Sequence, residues 1–203
     1  MDSRRVYQLT PGRPVDYYPI IAKRFQQTME TVAMSVDQLA DPIAQGGEMM
    51  TQVLLNDGKI FCYGGGLDAA HAQLFSSSLM QNLERERPPL PAFNLGANPA
   101  ATGGDFGGQV RALVSDRDLL LLIDSSPGDA NCALALDAAR DIAIPVVVLS
   151  GSDNSLLSSR LNAGDIHIQI TGNRSQCLEL HTMVVLNLCQ LIEIGLLGDY
   201  NLD

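Results

Sequence analysis

The residues Leu119-Leu120-Leu121-Leu122-Ile123 form an uninterrupted apolar run, and Asp124-Ser125-Ser126-Pro127-Gly128-Asp129 follows it directly. Such a run is typical of a central strand in a parallel sheet, because both faces of that strand are covered. The segment from about Pro127 to Asp141 then predicts a helix. This strand-loop-helix unit indicates an α/β fold with a parallel sheet.

The same alternation extends to both sides of this unit. A short apolar segment at 59–63 ends in a run of glycines, and a helix is predicted over 68–84. Further strands are predicted at 92–95, 144–149 and 166–170, a loop at 96–108 and a last helix at 174–197. The segment 166–170 alternates in polarity, which suits an edge strand. We predict a doubly wound, five-stranded parallel sheet of the flavodoxin-like type, flanked by helices.

Two helices are predicted ahead of the sheet. Apolar residues recur every three or four positions from Phe25 to Leu39, which is the pattern of one helix face. Asp41-Pro42 predicts the start of a second helix, with Asp41 as N-cap. The predicted organisation is an irregular arm at 1–16 and a single domain at 17–203, made of a helical pair at 17–56 and an α/β sandwich at 57–203.

The composition restricts the class of protein. The 203 residues carry 13 Lys+Arg against 23 Asp+Glu, and this net charge of −10 argues against direct nucleic-acid binding, which requires a basic surface. No apolar stretch reaches the roughly 18 residues of a membrane span, and no apolar segment follows the N-terminal Met1-Asp2-Ser3-Arg4-Arg5. Four dispersed cysteines favour reduced thiols in a cytoplasmic protein.

Ligands of doubly wound sheets bind at the carboxyl ends of the strands, which makes the loops at 63–68, 95–108, 124–129 and 150–155 candidate sites. Two of these loops hold residues that suggest a ligand. In the first, Gly64, Gly65, Gly66 and Asp68 join a strand to a helix. Backbone amides and a helix N-terminus favour an anion there. The alternative is a tight turn that needs glycine for a positive φ.

The second candidate loop holds Asp124, Ser125, Ser126 and Asp129, and its two hydroxyls could bind a phosphate. The alternative is a helix cap, with Ser126 as N-cap and Asp129 as the reciprocal capping acid. The three carboxylates of the two loops would lie together and repel a phosphate. An amine or a metal ion would suit such an acidic pocket better.

Several segments carry a resemblance that covers nearly the full length of the chain. They are Leu54-Leu55-Asn56-Asp57-Gly58-Lys59-Ile60, Ala72-Gln73-Leu74-Phe75, Glu84-Arg85-Glu86-Arg87-Pro88-Pro89-Leu90-Pro91-Ala92, Gln109-Val110-Arg111-Ala112-Leu113, Glu179-Leu180-His181 and Leu188-Cys189-Gln190-Leu191-Ile192-Glu193. With these segments the chain is similar to the sugar isomerase (SIS) domain proteins. Within them it resembles the phosphoheptose isomerases and their paralogue DiaA, the DnaA initiator-associating protein.

The resemblance implies which residues should carry activity. The family's isomerases act on sedoheptulose 7-phosphate with a zinc site of His, Glu, Gln and His. Carried over by position, these four residues are Leu74, Ser78, Leu178 and Leu186 in this chain. Leucine neither binds a metal nor removes the proton next to a carbonyl, so a degenerate site without metal or cofactor is predicted.

Other positions also depart from the family pattern. The phosphate-binding serine of the family's GNGGS loop is Asp68, and an active-site acid in the loop after the second strand is replaced by Asn98. His181 matches a family histidine that is not a zinc ligand. His71 is expected to be a partly exposed helix residue, with neither a carboxylate nor a second histidine near enough to rebuild a metal site.

DiaA proteins also have serine at the position of Ser78 and lack the last zinc histidine. The resemblance therefore favours a homotetrameric scaffold that binds a protein partner, the replication initiator DnaA. Leu196 and Leu197 are the candidate partner contacts, unless they pack inside the oligomer. The alternative function is a phosphosugar sensor or isomerase that binds a carbohydrate derivative such as sedoheptulose 7-phosphate through Ser125, Ser126 and the glycine amides.

Overall fold

A computed structural model describes residues 15–97, 106–126, 129–152 and 154–199. Five strands form one parallel sheet in the order β2-β1-β3-β4-β5. They are β1 (Ile60–Gly64), β2 (Ala92–Asn94), β3 (Leu119–Asp124), β4 (Val146–Ser150) and β5 (Ile166–Gln169). This order confirms the doubly wound, flavodoxin-like sheet and places β5 at an edge, as its alternation predicts.

Helices cover both faces of the sheet. They are α1 (Tyr18–Leu55), α2 (Ala69–Met80), α3 (Phe106–Leu113), α4 (Ala130–Ile142), α5 (Ser155–Ser158) and α6 (Arg174–Leu197). Alternate side chains of β3 point to opposite faces. Leu119 and Leu121 pack with α1, α2 and α6, and Leu120 and Leu122 pack with α3 and α4. The two cores are therefore separated by the sheet itself.

The predicted helical pair at 17–56 is wrong, because α1 is one helix of 38 residues with Pro42 inside it. Proline in a helix interior removes a hydrogen bond and costs about 3 kcal/mol. The packing of α1 against α6 after Pro42 offsets this cost. Gly46 and Gly47 are buried against Leu188 and Leu191 of α6, and a side chain at Gly47 would overlap Leu191. The helix therefore continues through the proline.

Three further boundaries differ from the prediction, the first being that α2 ends at Met80 and not near Glu84. The predicted loop at 96–108 ends earlier, since α3 begins at Phe106 and buries Phe106 and Val110. Helix α4 begins at Ala130 and not at Pro127. The predicted arm at 1–16 lies almost entirely outside the described residues, as does Asn98.

Helix α6 occupies the range predicted for the last helix. Its length and apolar composition are those of a membrane span, contrary to the sequence expectation that no segment would qualify. In this fold it is a core helix instead. It packs along α1 and against α2, and buries nine residues, among them Leu188 and Ile192. It also holds the fully buried Glu193 in an ion pair with Arg87, at 2.7 Å.

Candidate functional site

The two candidate loops meet where β1 and β3 end side by side, since Gly64 pairs with Ile123 in the sheet. They line a cavity of about 430 Å³. Its lining residues are Tyr63, Gly65, Gly66, Asp68, Asp124, Ser126, Asp129, Asn131 and Arg174. The topology therefore brings together the three carboxylates that the sequence placed in separate loops.

Asp68 is the residue on which the two loops converge. Its Oδ2 accepts hydrogen bonds from the backbone N–H of Ser125 at 2.8 Å and from the Ser125 hydroxyl at 2.7 Å. The side chain lies at the start of α2 and is 3% exposed. A carboxylate of the protein therefore takes the Ser125 hydroxyl, one of the two hydroxyls that the sequence assigned to a phosphate.

The environment of Asp68 favours its ionised form. Burial by itself raises the pKa of Asp68, but hydrogen bonds from His181, His71 and Ser125 outweigh burial and hold the pKa well below its usual range. Oδ1 lies 3.1 Å from Nδ1 of His71 and 3.3 Å from Nδ1 of His181. Each oxygen of this carboxylate therefore has its own set of partners.

The sequence expectation for His71 is wrong on both counts. The side chain is buried, at 6% exposed, and it has both a carboxylate (Asp68) and a second histidine (His181) beside it. Helical spacing places Asp68 next to His71 at i,i+3. The contact with His181 depends on the packing of α2 against α6, which local periodicity does not reveal.

The carboxylates of Asp124 and Asp129 also accept hydrogen bonds from groups of the protein. Asp129 is the N-cap of α4, accepting from the Asn131 N–H at 2.8 Å, and it also accepts from the Tyr63 hydroxyl at 3.1 Å. The cap is therefore Asp129 and not Ser126, as the sequence had suggested. Asp124 accepts from Asn154 Nδ2 at 2.8 Å and from the Ser126 N–H at 3.2 Å.

The three carboxylates still influence one another. Burial raises the pKa of Asp124, and the negative charges of Asp129 and Asp68 add to that rise, against the hydrogen bond from Asn154. In the described part of the cavity lining, Arg174 is the one basic residue. The arrangement is therefore unfavourable for a doubly charged phosphate.

Two structural features explain why the first loop contains glycine at positions 65 and 66. Gly66 has φ +56°, which is the left-handed region that favours glycine. Gly65 has no room for a Cβ, because the Asp129 carboxylate occupies that space. The turn interpretation of this loop is therefore supported at Gly66.

The four positions to which the resemblance assigns a zinc site lie on α2 and α6. Leu74 is partly buried and packs against the core, and Ser78 is buried with its carbonyl accepting from Arg87. Leu178 and Leu186 are half-buried on α6. Three apolar side chains and one hydroxyl do not fit a zinc ion, whose ligands are thiolates, imidazoles and carboxylates.

Sequence reasoning missed several residues of the site. Tyr63 was assigned only to the first strand and the edge of the 63–68 loop, and Asn154 lies in the 150–155 loop, for which no individual residue was predicted. Arg174 and Thr182 come from α6, far along the chain from either loop. The position of the 150–155 loop after β4 was the available signal for Asn154, because the carboxyl ends of neighbouring parallel strands lie at the same edge of the sheet.

The candidate partner contacts differ from each other. Leu196 packs against the core and is half-buried, whereas Leu197 is 45% exposed. Of the two, only Leu197 presents a free apolar side chain to a partner.

Comparison with known proteins agrees with this fold. A family model described as the SIS domain matches residues 24–151. The chain is 35% identical over 194 residues to a phosphoheptose isomerase of Azoarcus sp. (strain BH72), covering 91% of this chain and 98% of that protein. A phosphoheptose isomerase of Pseudoalteromonas atlantica is 33% identical, covering 85% of this chain and 93% of that protein.

Solved structures give the same result. A phosphoheptose isomerase from Francisella tularensis superposes with a TM-score of 0.82 at 30% identity, covering 88% of this chain and 98% of that chain. One from Neisseria gonorrhoeae gives a TM-score of 0.80 at 28% identity, covering 88% of this chain and 99% of that chain. The chain thus belongs to the SIS-domain family and, within it, to the phosphoheptose isomerase group.

Proposed function

We propose that this protein is an SIS-domain scaffold that acts by binding rather than by isomerising a sugar phosphate. The observation that carries the proposal is the position of Asp68, whose Oδ2 takes both the N–H and the hydroxyl of Ser125. The positions of the family's metal and base residues support it, because Leu74, Ser78, Leu178 and Leu186 offer neither. Aldose–ketose isomerisation requires both a base and a group that stabilises an enediolate.

The proposed assembly is a homotetramer built around α1. The first half of this helix exposes large apolar side chains, among them Tyr18 at 77%, Phe25 at 67% and Met34 at 83%. A surface of that kind on one helix marks an interface, and a second copy of this chain is the occupant that the SIS resemblance implies. The mass of the purified protein in solution, measured by light scattering, should equal four chains.

The proposed partner is a protein, the replication initiator DnaA, as in DiaA, and the proposed location is the cytoplasm. Several copies of a weak site on one oligomer would bind such a partner with avidity. Among the described residues, the exposed Leu197 at the end of α6 supports a partner contact.

Leu197→Ala is expected to weaken capture of purified DnaA by at least about tenfold without lowering the melting temperature. An exposed leucine contributes to binding and little to folding. The matched control is Leu113→Ala, which removes a side chain that is 53% exposed on α3. Equal capture by both variants and the wild type would remove Leu197 from the proposed interface.

The alternative function is a sensor or isomerase for sedoheptulose 7-phosphate or a related carbohydrate derivative. The relatives named phosphoheptose isomerase favour it, as do the Ser126 hydroxyl and the glycine-rich loop that line the cavity. Incubation with sedoheptulose 7-phosphate, with and without added zinc, separates the two functions. We expect no product and no binding heat at millimolar ligand.

Asp68→Ser is expected to raise the affinity for sedoheptulose 7-phosphate at least tenfold relative to the wild type. The substitution removes a negative charge and frees the two donors of Ser125, since two like charges 4 Å apart repel by about 4 kcal/mol at an effective dielectric of 20. Calorimetric titration measures the affinity. The control Asp141→Ser removes the same charge from an exposed position on α4. A wild-type protein that binds as tightly as Asp68→Ser contradicts the proposal.

A further inference from the structure

Asp68, His71 and His181 form a buried cluster in which the three side chains are 3%, 6% and 0% exposed. Oδ2 of Asp68 accepts hydrogen bonds from Ser125, and Oδ1 faces the Nδ1 atoms of both imidazoles. One donor atom from each of the three side chains lies within 4.8 Å of the others. The cluster connects the start of α2 to the middle of α6.

The hydrogen bonds of His71 determine where its proton is. Nε2 lies 3.0 Å from the carbonyl oxygen of Leu178, which can only accept, so Nε2 carries hydrogen. The Thr182 hydroxyl donates to the same carbonyl at 3.1 Å, so its oxygen is free to accept from Nε2 at 3.2 Å. Nδ1 of the same ring faces Oδ1 of Asp68 at 3.1 Å. Without a metal, Nδ1 donates a hydrogen to this oxygen; in the neutral ring with hydrogen only on Nε2, the lone pair of Nδ1 is available to a metal ion that Asp68 also binds.

A metal ion satisfies this geometry. Metal-binding histidines commonly donate their second N–H to a backbone carbonyl, as His71 does to Leu178. Bonds of about 2.0 Å in a tetrahedral zinc site place neighbouring ligand atoms about 3.3 Å apart. The distances from Oδ1 of Asp68 to the two Nδ1 atoms are 3.1 and 3.3 Å.

His181 adds an independent observation. Its Nε2 is fully buried and has no hydrogen-bond partner among the described residues. Its one polar contact, from Nδ1 to Asp68 at 3.3 Å, is longer than the usual 2.9–3.0 Å of an N–H···O bond. A metal ion on Nδ1 would replace this long contact, and the hydrogen of the neutral ring would then be on Nε2.

We propose that Asp68, His71 and His181 bind one divalent zinc ion. This site does not use Leu74, Ser78, Leu178 or Leu186, the positions of the family's zinc ligands. Two imidazoles and a carboxylate are a ligand set that zinc accepts. The ion would link the loop after β1 to α6, and its role is to fix the two elements together.

Titration calorimetry of the chelator-treated full-length protein with zinc chloride tests the proposal. We expect one zinc per chain and a higher melting temperature in the loaded protein. Cobalt chloride should give a visible absorption band that is absent without the protein, and excess zinc should remove it. No binding by a folded wild-type protein overturns the proposal and leaves a proton between His71 and Asp68.

The variants Asp68→Asn and His71→Ala should each weaken zinc binding by at least about tenfold, because each removes a ligand. The control His167→Ala removes a histidine that contacts Ser150 and lies outside the cluster. Its affinity should equal that of the wild type. Zinc binding unchanged in both cluster variants overturns the site, and His181→Gln provides a further ligand variant if either one fails to fold.

The zinc-binding experiment and the turnover experiment that tests the proposed function can fail independently of each other. Turnover of sedoheptulose 7-phosphate by the zinc-loaded protein would contradict the scaffold function and leave the metal site intact. Absence of both turnover and zinc binding would contradict only the metal site.

Discussion

Arg87→Met is expected to lower the free energy of unfolding by about 3–5 kcal/mol, because it leaves the buried carboxylate of Glu193 without its cation. The two side chains are 1% and 0% exposed. Nε of Arg87 donates to Glu193 at 2.7 Å, and its other nitrogens donate to the carbonyls of Leu79 and Ser78 at 2.8 and 2.9 Å. One guanidinium therefore connects the end of α2 to α6.

Urea unfolding at fixed protein concentration measures this loss. The matched control is Arg111→Met, which breaks an ion pair to Asp141 at 2.9 Å whose side chains are 53% and 63% exposed. Exposed pairs contribute about 0–1 kcal/mol, so the control should be nearly neutral. Similar losses in both variants would mean that burial of the Arg87 pair has no special effect.

Gly64→Ala is expected to destabilise the protein by about 3 kcal/mol or more, which corresponds to a fall in Tm of roughly 6–12 °C for a chain of this size. An added Cβ would overlap the carbonyl oxygen of Asp68 and lie 2.7 Å from its carbonyl carbon. These are backbone atoms, so the loop itself must move. That movement would also displace the Asp68 carboxylate from Ser125.

The control for this substitution is Gly164→Ala. No atom lies within 4 Å of the Cβ that would be added at Gly164, and its φ is outside the left-handed region. Alanine at such a position is neutral or stabilises by about 0.4–1 kcal/mol. Thermal unfolding of both variants should therefore separate them clearly, and equal Tm values would show that the loop tolerates a side chain at Gly64.

Local sequence patterns were sufficient for most of the sheet and for the last helix. The apolar runs of β3 and β4 are buried on both faces, so their composition alone predicted central parallel strands. Helix α6 begins at a capping box formed by Asn173 and Gln176, a local signal that fixes its start. The absence of catalytic residue types at positions 74, 78, 178 and 186 was also a property of the sequence.

Only the tertiary structure decided three other features. The helix α1 passes through Pro42 because Gly46 and Gly47 allow close packing against α6, and the packing energy exceeds the local cost. The carboxylate of Asp68 found its donor in Ser125, 57 positions along the chain, because parallel strands place their carboxyl ends side by side.

The third feature is the pairing of His71 with His181, which are 110 positions apart and isolated in the sequence. The sequence predicted a partly exposed helix position for His71, but it did not show which helix would cover the side chain. The packing of α2 against α6 buries both rings beside one carboxylate. The sequence thus determined the sheet and the residue types at positions 74, 78, 178 and 186, whereas contacts between distant helices determined the surroundings of the site, because burial depends on which elements meet in space.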